Sequence, residues 1–206
     1  ANPINAKGEE VTPVVWESNC LEEVCGTCTM VINGKVRQSC SALVDQLEKP
    51  IKLEPMSKFP VVRDLAVDRT RMFSALKKVQ AWVNADGYHD LGPGDRLPQK
   101  HQETAYKLSE CMTCGCCVEA CPQYSSSNNF LGAAAISQSR LFNMHPTAKN
   151  MASERLDTLM QEGGIADCGN AQNCVEACPK SIPLTESIAE MGRQVSDKLW
   201  HNIFKA

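Results

Sequence analysis

The sequence predicts an α+β protein in two parts: a small strand-containing part over residues 1–69 and an all-α part over residues 70–206. Three observations predict it. Short strand-like runs flank Asn33-Gly34 near the start, whereas apolar residues recur at helical spacing from Met72 onward, so the hydrophobic period changes within the chain. The 12 cysteines fall into three tight groups. The first group lies in the strand-containing part and the other two lie in the helical part.

Composition narrows what the cysteines do. A chain of 206 residues has room for one or two domains. A net charge of -3 gives no reason to expect nucleic acid as a partner. An even cysteine count first suggests disulfides, but disulfide scaffolds are short secreted chains, and the N-terminus does not resemble a signal peptide. Zinc sites favour separated ligand pairs. Here Cys111, Cys114, Cys117 and Cys121 crowd together and end in Cys-Pro, which suits an iron–sulfur cluster better. Many free thiolates imply a reducing, cytoplasm-facing compartment. No apolar run reaches the roughly 18 residues of a membrane span, and the longest weakly polar stretch is the alanine-rich Leu131 to Ile136.

Taken in order, residues 1 to 19 read as irregular, with an apolar patch at Val14, Val15 and Trp16. Cys20, Cys25 and Cys28 follow, with Cys40 farther on. This is the C-x4-C-x2-C…C spacing of a plant-type [2Fe–2S] centre, in which four thiolates serve two irons. Gly26 allows the positive φ and close backbone approach of a cluster loop. Asn33-Gly34 is a strong hairpin signal, and the hairpin returns Cys40 to that loop. Glu22 and Glu23 would lower the potential of this centre if they faced it. Ile51 to Leu53 reads as another strand.

Asp68 reads as the N-cap of a helix carrying Met72, Phe73, Leu76, Val79 and Val83, a stripe expected to pack in the core. Residues 86 to 98 read as loop, with Asp86-Gly87 and Gly92-Pro93-Gly94-Asp95. A polar helix from about His101 leads into the second cysteine group. Leu131 to Met144 and Glu154 to Glu162 read as helices, the second stopped by Gly163-Gly164. Thr185 reads as the N-cap of a last helix. Ile188, Met191, Val195, Leu199 and Ile203 lie along one face of it, widened by Trp200 and Phe204. Packing within the domain is the expected role of this face, and docking on a partner subunit is the sharper alternative.

The second and third cysteine groups need each other. In C-x2-C-x2-C-x3-C-P runs the fourth cysteine serves the other cluster. Cys111, Cys114 and Cys117 therefore share a [4Fe–4S] cluster with Cys178, the residue before Pro179. Cys121, the residue before Pro122, joins Cys168 and Cys174. A regular third group would have another cysteine at position 171, where the chain has Ala171. A methyl cannot hold iron, so this cluster reads as [3Fe–4S]. The alternative is a [4Fe–4S] cluster with one labile iron that acts as a Lewis acid. Cys116 falls outside the spacing and reads as a small buried non-ligand thiol. Lys180 would raise the potential of a nearby cluster if it faces one. His89, His101, His145 and His201 form no pairs, and neither a dinucleotide loop nor a nucleophile–base set is evident.

These motifs, together with Pro60-Val61-Val62-Arg63-Asp64-Leu65 and Cys168 to Lys180, resemble the iron–sulfur subunit of succinate dehydrogenase and quinol:fumarate reductase. Cys20-Leu-Glu-Glu-Val-Cys25-Gly26 and Ala166-Asp-Cys-Gly-Asn resemble the bacterial, menaquinone-linked branch. The resemblance implies a plant-type ferredoxin domain of β-grasp fold, lacking its first strands because this sequence begins too late for them, followed by an all-α two-cluster ferredoxin domain. A sheet so trimmed would leave an open edge. The implied partners are a flavoprotein with covalent FAD that oxidises succinate to fumarate, and a cytochrome b membrane anchor with haem b that passes electrons to quinone, expected to be menaquinone. The implied location is the cytoplasmic face of the plasma membrane, held through the anchor. Some family members line a quinone pocket with a tryptophan after the first Cys-Pro and a histidine after the next cluster cysteine. Here Gln123, Tyr124, Ser125 and Ser126 follow Pro122, and Gly169 follows Cys168, so that pocket is not carried over. The same relay run in reverse as a fumarate reductase, a stand-alone ferredoxin-like carrier and a structural zinc protein remain as alternatives.

Overall fold

A computed structural model describes residues 2–84 and 96–204. The turn signals at Asp86-Gly87 and at 92–95 lie outside the described residues. β1 (Thr29–Ile32) and β2 (Lys35–Gln38) pair antiparallel, with Ile32 opposite Lys35. Asn33 and Gly34 turn between them with φ of 49° and 76°, as a two-residue hairpin requires. β3 (Leu53–Glu54) adds to the other side of β1, giving the order β2-β1-β3. It sits slightly later than the expected 51–53 strand. Asn33 explains the register. Its carboxamide oxygen accepts the Lys52 amide at 2.7 Å, its side-chain NH2 donates to Glu48 O at 2.8 Å, and its own amide donates to Lys52 O at 2.9 Å. Side-chain hydrogen bonds from the turn, not strand propensity, thus place β3.

A second hairpin, β4 (Val61–Arg63) and β5 (Ala66–Val67), was not foreseen. It forms on the Pro60–Leu65 stretch, with Asp64 at φ 50° in the turn. Asp64 Oδ2 accepts the Val15 amide at 2.8 Å, and Val15 O accepts the Leu65 amide at 3.1 Å. The hairpin thereby anchors the irregular N-terminal segment, whose Val14 and Trp16 remain exposed.

α1 (Thr70–Lys78) begins with Asp68 accepting both the Thr70 amide and hydroxyl, at 2.8 and 2.5 Å. These bonds hold the Asp68 carboxyl below its usual range. Arg69 occupies the cap position itself, one residue later than expected. Met72, Ala75 and Val79 are buried, while Phe73 is exposed. The helix stops before Val83 because Gln80 adopts φ 48° and turns the chain, and the carbonyls of Gln80 and Trp82 are taken by Arg155.

The helical part is organised around α4 (Ala133–Met144), which packs on α2 (Gln99–Ser109), α5 (Ala152–Met160) and α7 (Leu184–Phe204). Two single-turn helices, α3 (Cys116–Glu119) and α6 (Asn173–Glu176), pack on each other. The buried core runs from Met56, Phe59 and Val67 through α1 into α4, α5 and α7, without a break at residue 70. Glu119 adds polar joints. Its carboxylate accepts the Ser57 amide and hydroxyl and the Lys58 amide at 2.7–3.0 Å.

α7 starts at Leu184, so Thr185 lies inside it and is not its cap. Its apolar stripe divides. Met191 is buried and Ile188 and Val195 pack on the core, whereas Leu199, Trp200, Ile203 and Phe204 are exposed. Among the described residues, no helix is long and apolar enough to cross a membrane.

Candidate metal centres

The first cysteine loop is built to present amides to sulfur. Leu21 and Glu23 adopt φ of 60° and 55°, strained for non-glycine residues. The strain turns the amides of Glu22, Val24 and Cys25 toward Cys20 Sγ, at 3.4, 3.4 and 3.3 Å. Such a nest of N–H groups favours a thiolate. Hydrogen bonding to Thr27 and then Cys20 holds the Cys25 thiol down to about 6. Burial, followed by the neighbouring Cys28, pushes Cys40 up. Cys25 is thus a neighbour of Cys20, and Cys40 a neighbour of Cys28 and Cys20. The Glu23 carboxylate accepts the Ser41 hydroxyl at 2.7 Å, which ties the loop to the segment just after Cys40.

The other two groups interleave around two cavities. The first is lined by Cys111, Cys114, Cys117 and Cys178. The second is lined by Cys121, Cys168 and Cys174, with Ala171 also among its lining residues. The crossover follows from α3, which carries Cys117 in its single turn and delivers the chain to Cys121 just past its end, and from Pro179, beyond which the chain leads into α7. Lys180 lines the first cavity. The N-terminus of α4 forms a shared wall: Ala134 faces the first cavity and its neighbour Ala133 the second. The alanine-rich start of this helix therefore leaves space on both of its sides.

The thiols sense one another as such packing requires. Burial pushes Cys111, Cys117 and Cys174 up. Nearby thiolates add to this, Cys114 and Cys178 acting on Cys111, and Cys121 and Cys168 acting on Cys174. Binding iron offsets this cost, because the metal carries the positive charge the thiolates lack. Tyr124 is buried with its hydroxyl unpartnered, and burial pushes its phenol up against the pull of Arg71, with a smaller rise from Cys117. Among the described residues no three His, Cys, Asp or Glu side chains could hold a single metal ion. The thiols stand around cavity walls, as a multi-iron cluster requires.

Cys116 is completely buried in α3. Its thiol hydrogen-bonds Cys114, which holds Cys114 down to about 7 and drives Cys116 far up. Its burial is that of a small thiol packed in the core, and it is absent from the lining of the first cavity, to which its neighbours Cys114 and Cys117 both contribute.

Sequence reasoning missed Arg69 altogether. Its guanidinium donates to Gly26 O at 2.7 Å, Thr27 O at 2.6 Å and Cys114 O at 3.4 Å. No one-dimensional signal pairs it with two loops more than 40 positions away in opposite directions. Gly26 was singled out for its freedom near a cluster, but its close approach is to the second cysteine group. A Cβ there would lie 2.7 Å from both Cα and Cβ of Cys114.

Comparison with known proteins agrees with this layout. Residues 3–74 match a 2Fe-2S iron-sulfur cluster binding domain, and residues 107–182 match a 4Fe-4S dicluster domain. The succinate dehydrogenase iron-sulfur subunit of Bacillus subtilis (strain 168) is 63% identical over 203 residues, covering 98% of this chain and 80% of that protein. The fumarate reductase iron-sulfur subunit of Wolinella succinogenes is 28% identical over 179 residues, covering 85% and 75%. A chain in the solved structure "Mycobacterium smegmatis Sdh1 complex in the apo form" superposes with a TM-score of 0.72 at 25% identity, covering 91% of this chain and 79% of that one. With both cluster-binding domains matched and near-complete coverage by a close relative, the chain belongs to the family of iron–sulfur subunits of succinate dehydrogenase and fumarate reductase.

Proposed function

We propose that Cys20, Cys25, Cys28 and Cys40 hold a [2Fe–2S] cluster, Cys111, Cys114, Cys117 and Cys178 a [4Fe–4S] cluster, and Cys121, Cys168 and Cys174 a [3Fe–4S] cluster. Bound clusters supply one-electron carriers with potentials set by charge, hydrogen bonds and exposure. The chain is an electron-transfer subunit, and its relatives favour the succinate-oxidising direction. Electrons arrive from a flavoprotein partner with covalent FAD and leave for quinone, menaquinone by the Cys20–Gly26 resemblance, at a haem-bearing membrane anchor on the cytoplasmic face. The strand-containing and helical parts of the chain divide at 69/70, with one thiol group before that point and two after it, while the buried core runs through the division.

The protein's own contribution is to order and tune these sites. The amides at Cys20 stabilise a thiolate there, and α3 and α6 hold the two cavities side by side. The observation that carries the reading is the second cavity, which is lined by three cysteines and by Ala171. In the intact complex, oxidised protein is expected to show the electron paramagnetic resonance signal of a [3Fe–4S] centre. Ala171→Cys, by adding a fourth thiol, is expected to abolish it and yield a reducible [4Fe–4S] signal. An unchanged signal in that variant would show that the vacant corner lies elsewhere.

A further inference from the structure

We propose that Arg69 is a positioning residue that clamps the first cysteine loop onto the second and raises the reduction potentials of the two centres these loops carry. The proposal rests on the ligand assignment above. Its geometry is specific. One guanidinium reaches two consecutive carbonyls of the first loop, Gly26 O and Thr27 O, and Cys114 O of the second. Those carbonyls belong to the residues between Cys25 and Cys28 and to a thiol residue lining the first cavity. The loops also touch directly, with Gly26 against Cys114 and no room for a Cβ. Arg69 therefore closes a joint at which the two cysteine groups come nearest.

The charge at this joint is incompletely balanced. The Arg69 side chain is 11% exposed, and its ion-pair partner is Glu17, 3.8 Å away and 45% exposed. A carboxylate this open to water is partly screened and balances the guanidinium only in part, whereas the guanidinium sits in lower dielectric, where its field reaches farther. Reduction adds negative charge, so a buried cation beside two centres favours their reduced forms. A planar fork is needed to take several carbonyls at once, which lysine cannot reproduce even though it keeps the charge. Clamp and charge are therefore separable by substitution.

The test is a redox titration, followed by electron paramagnetic resonance, of the intact complex carrying Arg69→Met, Arg69→Lys or Glu17→Gln. Arg69→Met is expected to move the potentials of the two-iron and four-iron centres negative while leaving the three-iron centre unchanged. Arg69→Lys should keep the potentials nearer the parent values but weaken the magnetic coupling between the first two centres, because the clamp is lost. Glu17→Gln removes the opposing charge without touching the carbonyl bonds and should move the same two potentials positive. If Arg69→Met does not assemble, Glu17→Gln and Arg69→Lys decide. Unchanged potentials with Glu17→Gln, or unchanged coupling with Arg69→Lys, overturn the charge or clamp role respectively. Cys25→Ser and Cys114→Ser in the parent chain keep the underlying reading separate. They should perturb only the two-iron and only the four-iron signal, and any other pattern overturns the ligand assignment whatever Arg69 does.

Discussion

Gly26→Ala is expected to force the first two cysteine loops apart, with loss of iron from both and a large fall in stability. Two costs combine. Gly26 has φ 72°, and an L-residue in that region costs roughly 1–2 kcal/mol. The added methyl would also stand 2.7 Å from Cα and Cβ of Cys114. These atoms are backbone and root, held by α3 and by Arg69, so they cannot swing aside as a flexible side-chain tip would. Overpacking of this kind adds about 1–3 kcal/mol. Gly34→Ala isolates the first cost: Gly34 has φ 76° but nothing within 4 Å of its would-be Cβ. The measurements are iron per complex and the thermal midpoint of both variants. Gly34→Ala should lose only the conformational part and keep its iron. Equal losses in the two variants would mean that the contact between the loops carries no weight.

Arg155→Met is the second large effect, and its origin is hydrogen bonding rather than ionic pairing. Arg155 is wholly buried. Its guanidinium donates to Gln80 O at 3.1 Å, Trp82 O at 3.2 Å, Ala148 O at 2.7 Å and Asn143 Oδ1 at 3.2 Å. Burial lowers its pKa, yet an arginine so bonded stays protonated. Methionine fills much of the volume but strands four acceptors, three of them backbone carbonyls. A buried acceptor without a partner costs about 1–3 kcal/mol, and partial relaxation limits the sum to roughly 3–5 kcal/mol. The expected consequence is local. The turn after α1 loosens first, seen as faster amide exchange at residues 80–82 and a lowered thermal midpoint, while the iron content of the first loop is retained. Protection at 80–82 equal to that of the parent would show that the turn is held by something else.

These two residues show where sequence reading succeeds and where it stops. Spacing alone identified the cysteine groups, because a chain with ligands a few residues apart can bend around a cluster only in limited ways. The same spacing marked Ala171, since a missing thiol is visible as a break in a pattern. The Asn33-Gly34 turn was legible because it depends on two adjacent residues' φ. The β4–β5 hairpin was not, because its strands are short and its turn is held by contacts with Val15. The end of α1 was also hidden. The apolar stripe continues to Val83, yet buried Arg155 captures the carbonyls that a longer helix would use.

The split stripe of α7 has the same cause. Its periodicity is uniform from Ile188 to Ile203, but the rest of the fold covers only the first half, so burial diverges where the sequence does not. The sequence by itself determined the family, the three cysteine groups and the absence of a fourth thiol at position 171, because these are matters of local covalent spacing. Only the tertiary structure decided that Gly26 abuts Cys114, that Arg69 bridges their loops and that Ala133 and Ala134 wall neighbouring cavities. The physical reason is that close approach and carbonyl capture are set by packing between segments distant in the chain, and no local pattern of residues encodes which distant atom will fill the space.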